Sequence, residues 1–261
     1  MSKILVIGDS CEDVYHYGSC ERLAPEGPAP VFHKRTTEKH PGMANNVLAN
    51  LKSLGITEYD IITQRRPIFK TRFIEESVNH LLLRHDTDDI TIKSSPISEE
   101  YTHHSYLSQF DAVIVSDYDK GFLDFKHLEV ISKNHPLTFL DTKKIIGEWA
   151  YNFSFIKINQ AEFSKLKEAR PYMFMNPKTR ECLFESLIIT RGPRGCDHKK
   201  INYPVEKVEI RDFAGAGDTF LAGLVCKYLE TKNMEEALVF ANQCGTQVVQ
   251  KKGVVCVQLP I

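Results

Sequence analysis

No stretch of this chain stays apolar for the roughly 20 residues that a membrane-spanning helix requires, so a membrane is not an expected partner. The opening segment holds one short apolar run, Ile4-Leu5-Val6-Ile7, and reaches a carboxylate at Asp9. That is too short for the core of a signal peptide. Long basic blocks and arginine-rich stripes are missing, and 33 Lys and Arg against 34 Asp and Glu leave a formal net charge of −1. Nucleic acid is therefore not an expected partner either. The seven cysteines (Cys11, Cys20, Cys182, Cys196, Cys226, Cys244 and Cys256) form no Cys-x-x-Cys pair, and the ten histidines no His-Glu-x-x-His. Reduced thiols in a cytoplasmic setting are expected, without a zinc site or a disulfide framework. Repeats, low-complexity tracts and long flexible linkers are also lacking. The 261 residues are expected to form a single domain, 1–261, with a substantial core.

What the chain does contain is a recurrence of short apolar runs that end in polar residues. Ile4 to Ile7 leads to Gly8-Asp9, Ala112 to Val115 to Ser116-Asp117-Tyr118, and Leu137 to Leu140 to Asp141. Phe155 to Ile158 ends at Asn159, and Leu187 to Ile189 at Thr190-Arg191-Gly192. Runs of this kind suit a parallel sheet covered on both faces. Helical spacing intervenes over Ala44–Leu54, Lys126–Lys133, Thr219–Glu230 and Met234–Gln250. The alternation predicts an α/β fold, a doubly wound and mostly parallel sheet flanked by helices. Ligands in such sheets sit beyond the carboxyl ends of the strands, where these polar residues fall. Segments 14–40 and 68–93 break the rhythm and are expected to form a small β lid over the pocket.

Asp212-Phe213-Ala214-Gly215-Ala216-Gly217-Asp218 stands where a loop becomes the third of those helices. Unpaired backbone N–H groups at a helix start, aided by the helix dipole, favour a phosphate. Glycine permits close approach, and Asp218 adds a proton acceptor beside the anion. An anion cradle next to a base is what phosphoryl transfer to a hydroxyl requires. The plainer alternative is a Gly-rich turn with Asp218 as a helix cap.

Taken with the other motifs, the chain resembles the ribokinase-type (PfkB) carbohydrate kinases along nearly its whole length. The residues that carry the resemblance are Gly8, Asp9, Asp13, Tyr15, Tyr17 and Gly18; Pro41-Gly42 with Asn45-Asn46-Val47; Ser116-Asp117-Tyr118 with Lys120-Gly121; Asp141 with Lys143; Asn159 with Glu162; Thr190-Arg191-Gly192; and Gly215 to Asp218. The run from Arg22 through Pro25-Glu26, Pro28 and Pro30-Val31 is similar to the heptose-7-phosphate kinase branch, the kinase half of bifunctional heptose kinase/adenylyltransferases.

The resemblance implies ATP and Mg²⁺ as cofactors, with Asp218 as general base toward the anomeric hydroxyl of a sugar. It makes the amides of Gly215, Ala216 and Gly217 an anion hole, and Asp13, Gly42 and Asn46 the partners of sugar hydroxyls. Asn159 and Glu162 are implied near the phosphates, Glu162 reaching Mg²⁺ through water; the structural alternative for Asn159 is a helix cap. Thr190, Gly192 and Gly195 would shape the nucleotide edge and Asn242 the adenine side. Asp212 would help to hold a monovalent cation such as K⁺. The sugar's own phosphate needs a cation, for which Lys120, Lys143, Arg72 and Arg22 are candidates. Pairing of two lids implies a homodimer.

Departures from the family pattern keep other readings open. Met43 stands where relatives carry a second glycine, and is expected to crowd the sugar or change which sugar fits. The segments 55–69 and 163–186 are short, and the adenylyltransferase half is expected to be missing. A kinase for another sugar or a nucleoside is the first alternative; a catalytically idle binding or regulatory subunit is the second.

Overall fold

The computed structural model describes residues 2–87, 97–175 and 177–260. The chain begins with β1 (Lys3–Gly8), then β2 (Ser10–Leu23), β3 (Pro30–Met43) and α1 (Ala44–Ser53). It continues through β4 (Glu58–Thr63), β5 (Phe69–Glu75) and β6 (His80–Thr87). The middle holds α2 (His104–Leu107), β7 (Ala112–Asp117), α3 (Phe125–Asn134), β8 (Thr138–Thr142), β9 (Phe155–Asn159) and α4 (Gln160–Ala169). Last come α5 (Tyr172–Met175), α6 (Pro177–Ser186), β10 (Leu187–Thr190), β11 (Cys196–His198), β12 (Ile201–Tyr203), α7 (Ala216–Thr231) and α8 (Met234–Val249).

Eight strands form one sheet in the order β12-β11-β10-β9-β8-β7-β1-β4. The ladder is parallel from β4 to β10 and antiparallel at the β10–β11–β12 end. Side chains alternate between faces along each strand. Leu5, Ile7, Val113, Val115 and Leu140 enter a core with Leu128 of α3 and Leu166 of α4. Ile4, Val6, Ile114 and Phe139 enter a second core with Val47 of α1, Leu221 of α7 and Leu238 of α8. Both faces are thus covered, which is why these strands read as unbroken apolar runs. The doubly wound fold follows the sequence expectation.

Because β1 lies between β4 and β7, the chain leaves it toward opposite edges of the sheet. A crevice opens at such a reversal, beyond the carboxyl ends of the two strands. Gly8 allows a close approach there: a Cβ on it would stand 1.9 Å from the Ser116 carbonyl oxygen.

Four strands form the second sheet, in the order β3-β2-β5-β6. It takes in the expected lid segments 14–40 and 68–87; residues 88–93 of the second segment lie outside the described residues. β2 starts at Ser10, one residue after β1, and β3 runs to Met43, so this sheet is longer than the sequence suggested. The antiparallel β11–β12 hairpin was also not anticipated, since three-residue strands leave too little pattern to read. In the short segments, 55–69 contributes only β4 to the large sheet, and 163–186 holds the rest of α4 with α5 and α6.

Candidate active site

Gly215 adopts φ 76°, the left-handed conformation that glycine enters without a Cβ penalty, and α7 starts immediately after it. The Thr219 N–H donates to the Gly215 carbonyl at 2.9 Å, and that of Ala216 to Phe213 at 3.3 Å. Gly217 and Asp218 occupy the first turn, where backbone N–H groups have no intrahelical acceptor. The Asp218 carboxylate is buried in the crevice. Its Oδ2 accepts from Asn46 Nδ2 at 2.9 Å, and its Oδ1 from the Tyr118 hydroxyl at 2.8 Å. Burial pushes its pKa up to about 6, Asp141 adds to the rise, and the donors Asn46 and Tyr118 with the Lys157 ammonium oppose it. A carboxylate so held is ionised near neutral pH yet basic enough to take a proton.

Asn46, on α1, is fully buried, and its Oδ1 accepts from Asn50 at 3.1 Å. Its amide therefore orients Asp218 directly. Tyr118 presents its hydroxyl from the loop after β7. That loop is held by Asp9, whose Oδ2 accepts the N–H groups of Tyr118 at 2.7 Å and Lys120 at 3.2 Å. Burial and the nearby Asp117 raise Asp9 to a pKa of about 6.

On the small-sheet side, the Asp13 carboxylate pairs with the Arg72 guanidinium, which lies 5.0 Å over the Tyr15 ring. Gly42 makes room for this acid: a Cβ on Gly42 would stand 2.4 Å from Asp13 Oδ2 and from Cys11 Sγ. Met43 differs from its expected role. Its side chain is buried in the core with Leu5, Ile7 and Ile68. Its backbone holds φ 57° and ψ −130°, a conformation that glycine adopts far more readily than methionine. Met43→Gly is accordingly expected to be more stable than Met43→Ala by about 1 kcal/mol, because both lose the side chain and only glycine relieves the strain. Comparison of the two melting temperatures checks this, and an alanine variant at least as stable as the glycine variant would contradict it.

Toward β8 and β9, charges are paired closely. The buried Lys157 ammonium contacts Asp141 Oδ2, and a Cβ on Gly217 would stand 3.0 Å from Lys157 Nζ. Lys143 donates to Glu162 Oε1 at 2.6 Å and lies 5.2 Å over the Tyr118 ring. Asn159 and Glu162 form a reciprocal capping box on α4, each side chain accepting the other's backbone N–H, at 2.9 and 2.8 Å. The helix-cap alternative for Asn159 is thus realised, and the cap fixes Glu162 at the crevice. Asp141 Oδ1 is buried without a hydrogen-bond partner among the described residues, but the Lys143 ammonium stands 3.9 Å from it. Mg²⁺ is bound through one or two carboxylates, waters and substrate phosphates, and the half-buried Glu162 carboxylate is the group here that suits it.

On the other side of the α7 N-terminus lies a cavity of about 440 Å³, lined by Thr190, Gly192, Gly195, Ala216, Gly217 and Asn242 among others. Thr190, Gly192, Gly195 and Asn242 share this one space, whereas Asn159 and Glu162, expected near the nucleotide's phosphates, do not line it. Asn242 spends its amide on the Tyr203 carbonyl at 2.8 Å, bracing the cavity wall. Asp212 accepts the N–H of Ala214 at 2.9 Å and of Gly253 at 3.0 Å, tying together two loops. Lys120 follows Tyr118 in the loop that Asp9 holds, whereas Arg22 is exposed toward the end of β2, near no other site residue named here. Tyr118, Lys157 and Asp141 had no assigned role in the sequence reading. The available signals were the positions of Tyr118 and Asp141 at the ends of apolar runs and a lysine inside the run Phe155–Ile158.

The family described as pfkB family carbohydrate kinase matches residues 43–259. The bifunctional protein HldE of Helicobacter pylori (strain J99) is 31% identical, over 97% of this chain and 64% of that protein. The chain thus spans less than two thirds of the length of the curated relatives it matches. Among solved structures, ribokinase from Thermotoga maritima superposes with a TM-score of 0.72 at 17% identity, covering 97% of this chain and 95% of that one. Arabidopsis thaliana ribokinase complexed with ribose and ATP gives 0.67 at 15% identity, over 97% and 94%. Phosphofructokinase-2 from Escherichia coli in complex with potassium gives 0.72 at 14%, over 99% and 96%. At these identities the structures establish the shared fold. No helix among the described residues is long and apolar enough to cross a membrane.

Proposed function

The chain belongs to the pfkB family of carbohydrate kinases, and from that membership we propose that it transfers the γ-phosphate of ATP to the anomeric hydroxyl of a heptose 7-phosphate in the cytoplasm. One observation carries the reading: Asp218 is buried in the first turn of α7, held by Asn46 and Tyr118, one residue from Gly217. Asp218 takes the hydroxyl proton as the sugar oxygen attacks. The N–H groups of Gly217 and Asp218, with the dipole of α7, meet charge developing on the transferred group, and Lys157 adds its ammonium beneath Gly217. ATP occupies the cavity lined by Thr190, Gly192, Gly195 and Asn242. Mg²⁺ would supply charge neutralisation at the phosphates, and Glu162 would hold it through water. Asp212 orders the loops for a K⁺ ion. Asp13 and Arg72 face the acceptor, and the Arg22–Val31 run supports a heptose as that acceptor.

ADP release measured against a panel of acceptors tests this. Turnover on heptose 7-phosphate supports the reading; turnover confined to another sugar or a nucleoside replaces the acceptor. ATP binding without turnover on any of them would leave an idle binding subunit.

We further propose that the small sheet pairs two copies of the chain. On its outer face Phe73 packs on His16 at 5.2 Å and Phe32 at 5.5 Å, and the exposed Leu83 stands opposite Phe73. An apolar, uncovered sheet face of this kind is a site that proteins normally cover. Light scattering is expected to give twice the chain mass, and Leu83→Asp to shift it to the monomer. Monomer alone in the unaltered protein would refute the pairing.

A further inference from the structure

We infer that Lys70 recognises the phosphate that the acceptor carries remote from its reacting hydroxyl; this rests on the sugar-phosphate reading above. Three of the cations at the acceptor end already have an acid: Arg72 has Asp13, Lys143 has Glu162, and Lys157 has Asp141. Lys70 is half-buried and forms no ion pair among the described residues. Its cross-strand neighbour Asp86 is engaged by Arg84, through Nε at 2.8 Å and Nη2 at 2.7 Å.

The position is specific. Lys70 stands beside Asp13 in the β2–β5 register, and its ammonium lies 5.3 Å over the Tyr118 ring, whose hydroxyl donates to Asp218. Tyr118 therefore links the proposed base to an ammonium that forms no direct ion pair, Asp86 acting on it only from a distance. A cation over a tyrosine ring recovers only part of the hydration it gives up. An anion of the substrate completes the arrangement, through a charge-assisted contact. The transferring phosphoryl group is the lesser candidate, since it sits at the α7 N-terminus, where Lys157 already stands.

Calorimetric titration with heptose 7-phosphate and with unphosphorylated heptose decides the matter. The unaltered protein is expected to bind the phosphorylated sugar at least about tenfold more tightly. Lys70→Met should weaken that ligand by about 10–100-fold while leaving unphosphorylated heptose and ATP unchanged, and Lys70→Arg should keep most of the preference. Lys70→Gln repeats the measurement should the Met variant fail to fold. Equal affinity of the unaltered protein for both sugars overturns the inference. So does a preference that survives in Lys70→Met, or a loss shared equally by both sugars. Should the protein bind heptose 7-phosphate yet release no ADP, the kinase reading fails while the variants still decide the role of Lys70.

Discussion

Asp218→Asn is expected to lower kcat by about 10²–10⁴-fold with little change in ATP affinity, because the change removes the proton acceptor and keeps the shape. The cavity proposed for ATP touches Ala216 and Gly217, and the Asp218 side chain faces Asn46 and Tyr118. A fall in ATP affinity as large as the fall in kcat would contradict this. The same acid sets the pH dependence. With a pKa of about 6, Asp218 is ionised above that value and protonated below it, so kcat/KM should decline as pH drops through about 6. Asn46, Tyr118 and Lys157 hold the pKa down, whereas burial and Asp141 hold it up. Tyr118→Phe deletes one of the restraining donors, so the acidic limb should move to higher pH. An unmoved limb would mean that the phenol does not act on the base.

Lys157→Met is expected to destabilise the fold by about 3 kcal/mol, because it leaves the buried Asp141 charge with only the Lys143 ammonium, 3.9 Å from its Oδ1. The side chains of Lys157 and Asp141 are only 6% and 2% exposed, so water cannot take the place of the lost partner. Adding Asp141→Leu should restore much of the stability, as replacing both members of a buried pair with apolar groups often does. Activity should not return with it, since the ammonium beneath Gly217 and the carboxylate beside Glu162 are both gone. Chemical denaturation of the single and double variants, set against ADP release, separates the two effects. A double variant as unstable as the single one would count against the pairing argument.

The large sheet is legible in the sequence because burial on both faces leaves strands such as Ile4–Ile7 and Ala112–Val115 with almost no polar residues. The anion cradle is legible because Gly215 to Asp218 are contiguous and a helical pattern follows. The network around the base is not. Asn46 and Tyr118 lie 172 and 100 residues from Asp218, and hydrogen bonds across such separations leave no periodic trace. The full length of the small sheet was hidden for a related reason. Much of β3 is exposed, so the segment 14–40 reads as part of a small sheet without showing where its strands end, although β3 pairs with β2 on both sides of a bulge at Arg35. Lys143 and Arg72 were visible as charges, but their partners Glu162 and Asp13 become evident only in three dimensions.

The single-residue step from β1 into β2, together with the Ser10–Met43 pairing, sets the foot of the small sheet at the carboxyl end of β1. At about 3.4 Å per residue, a tilt of roughly 10° about that foot would carry the tip near Leu23 through about 8 Å. Asp13, three positions from the foot, would travel less than about 2 Å. Wide opening for sugar exchange is therefore compatible with an acceptor-facing carboxylate that hardly leaves its post.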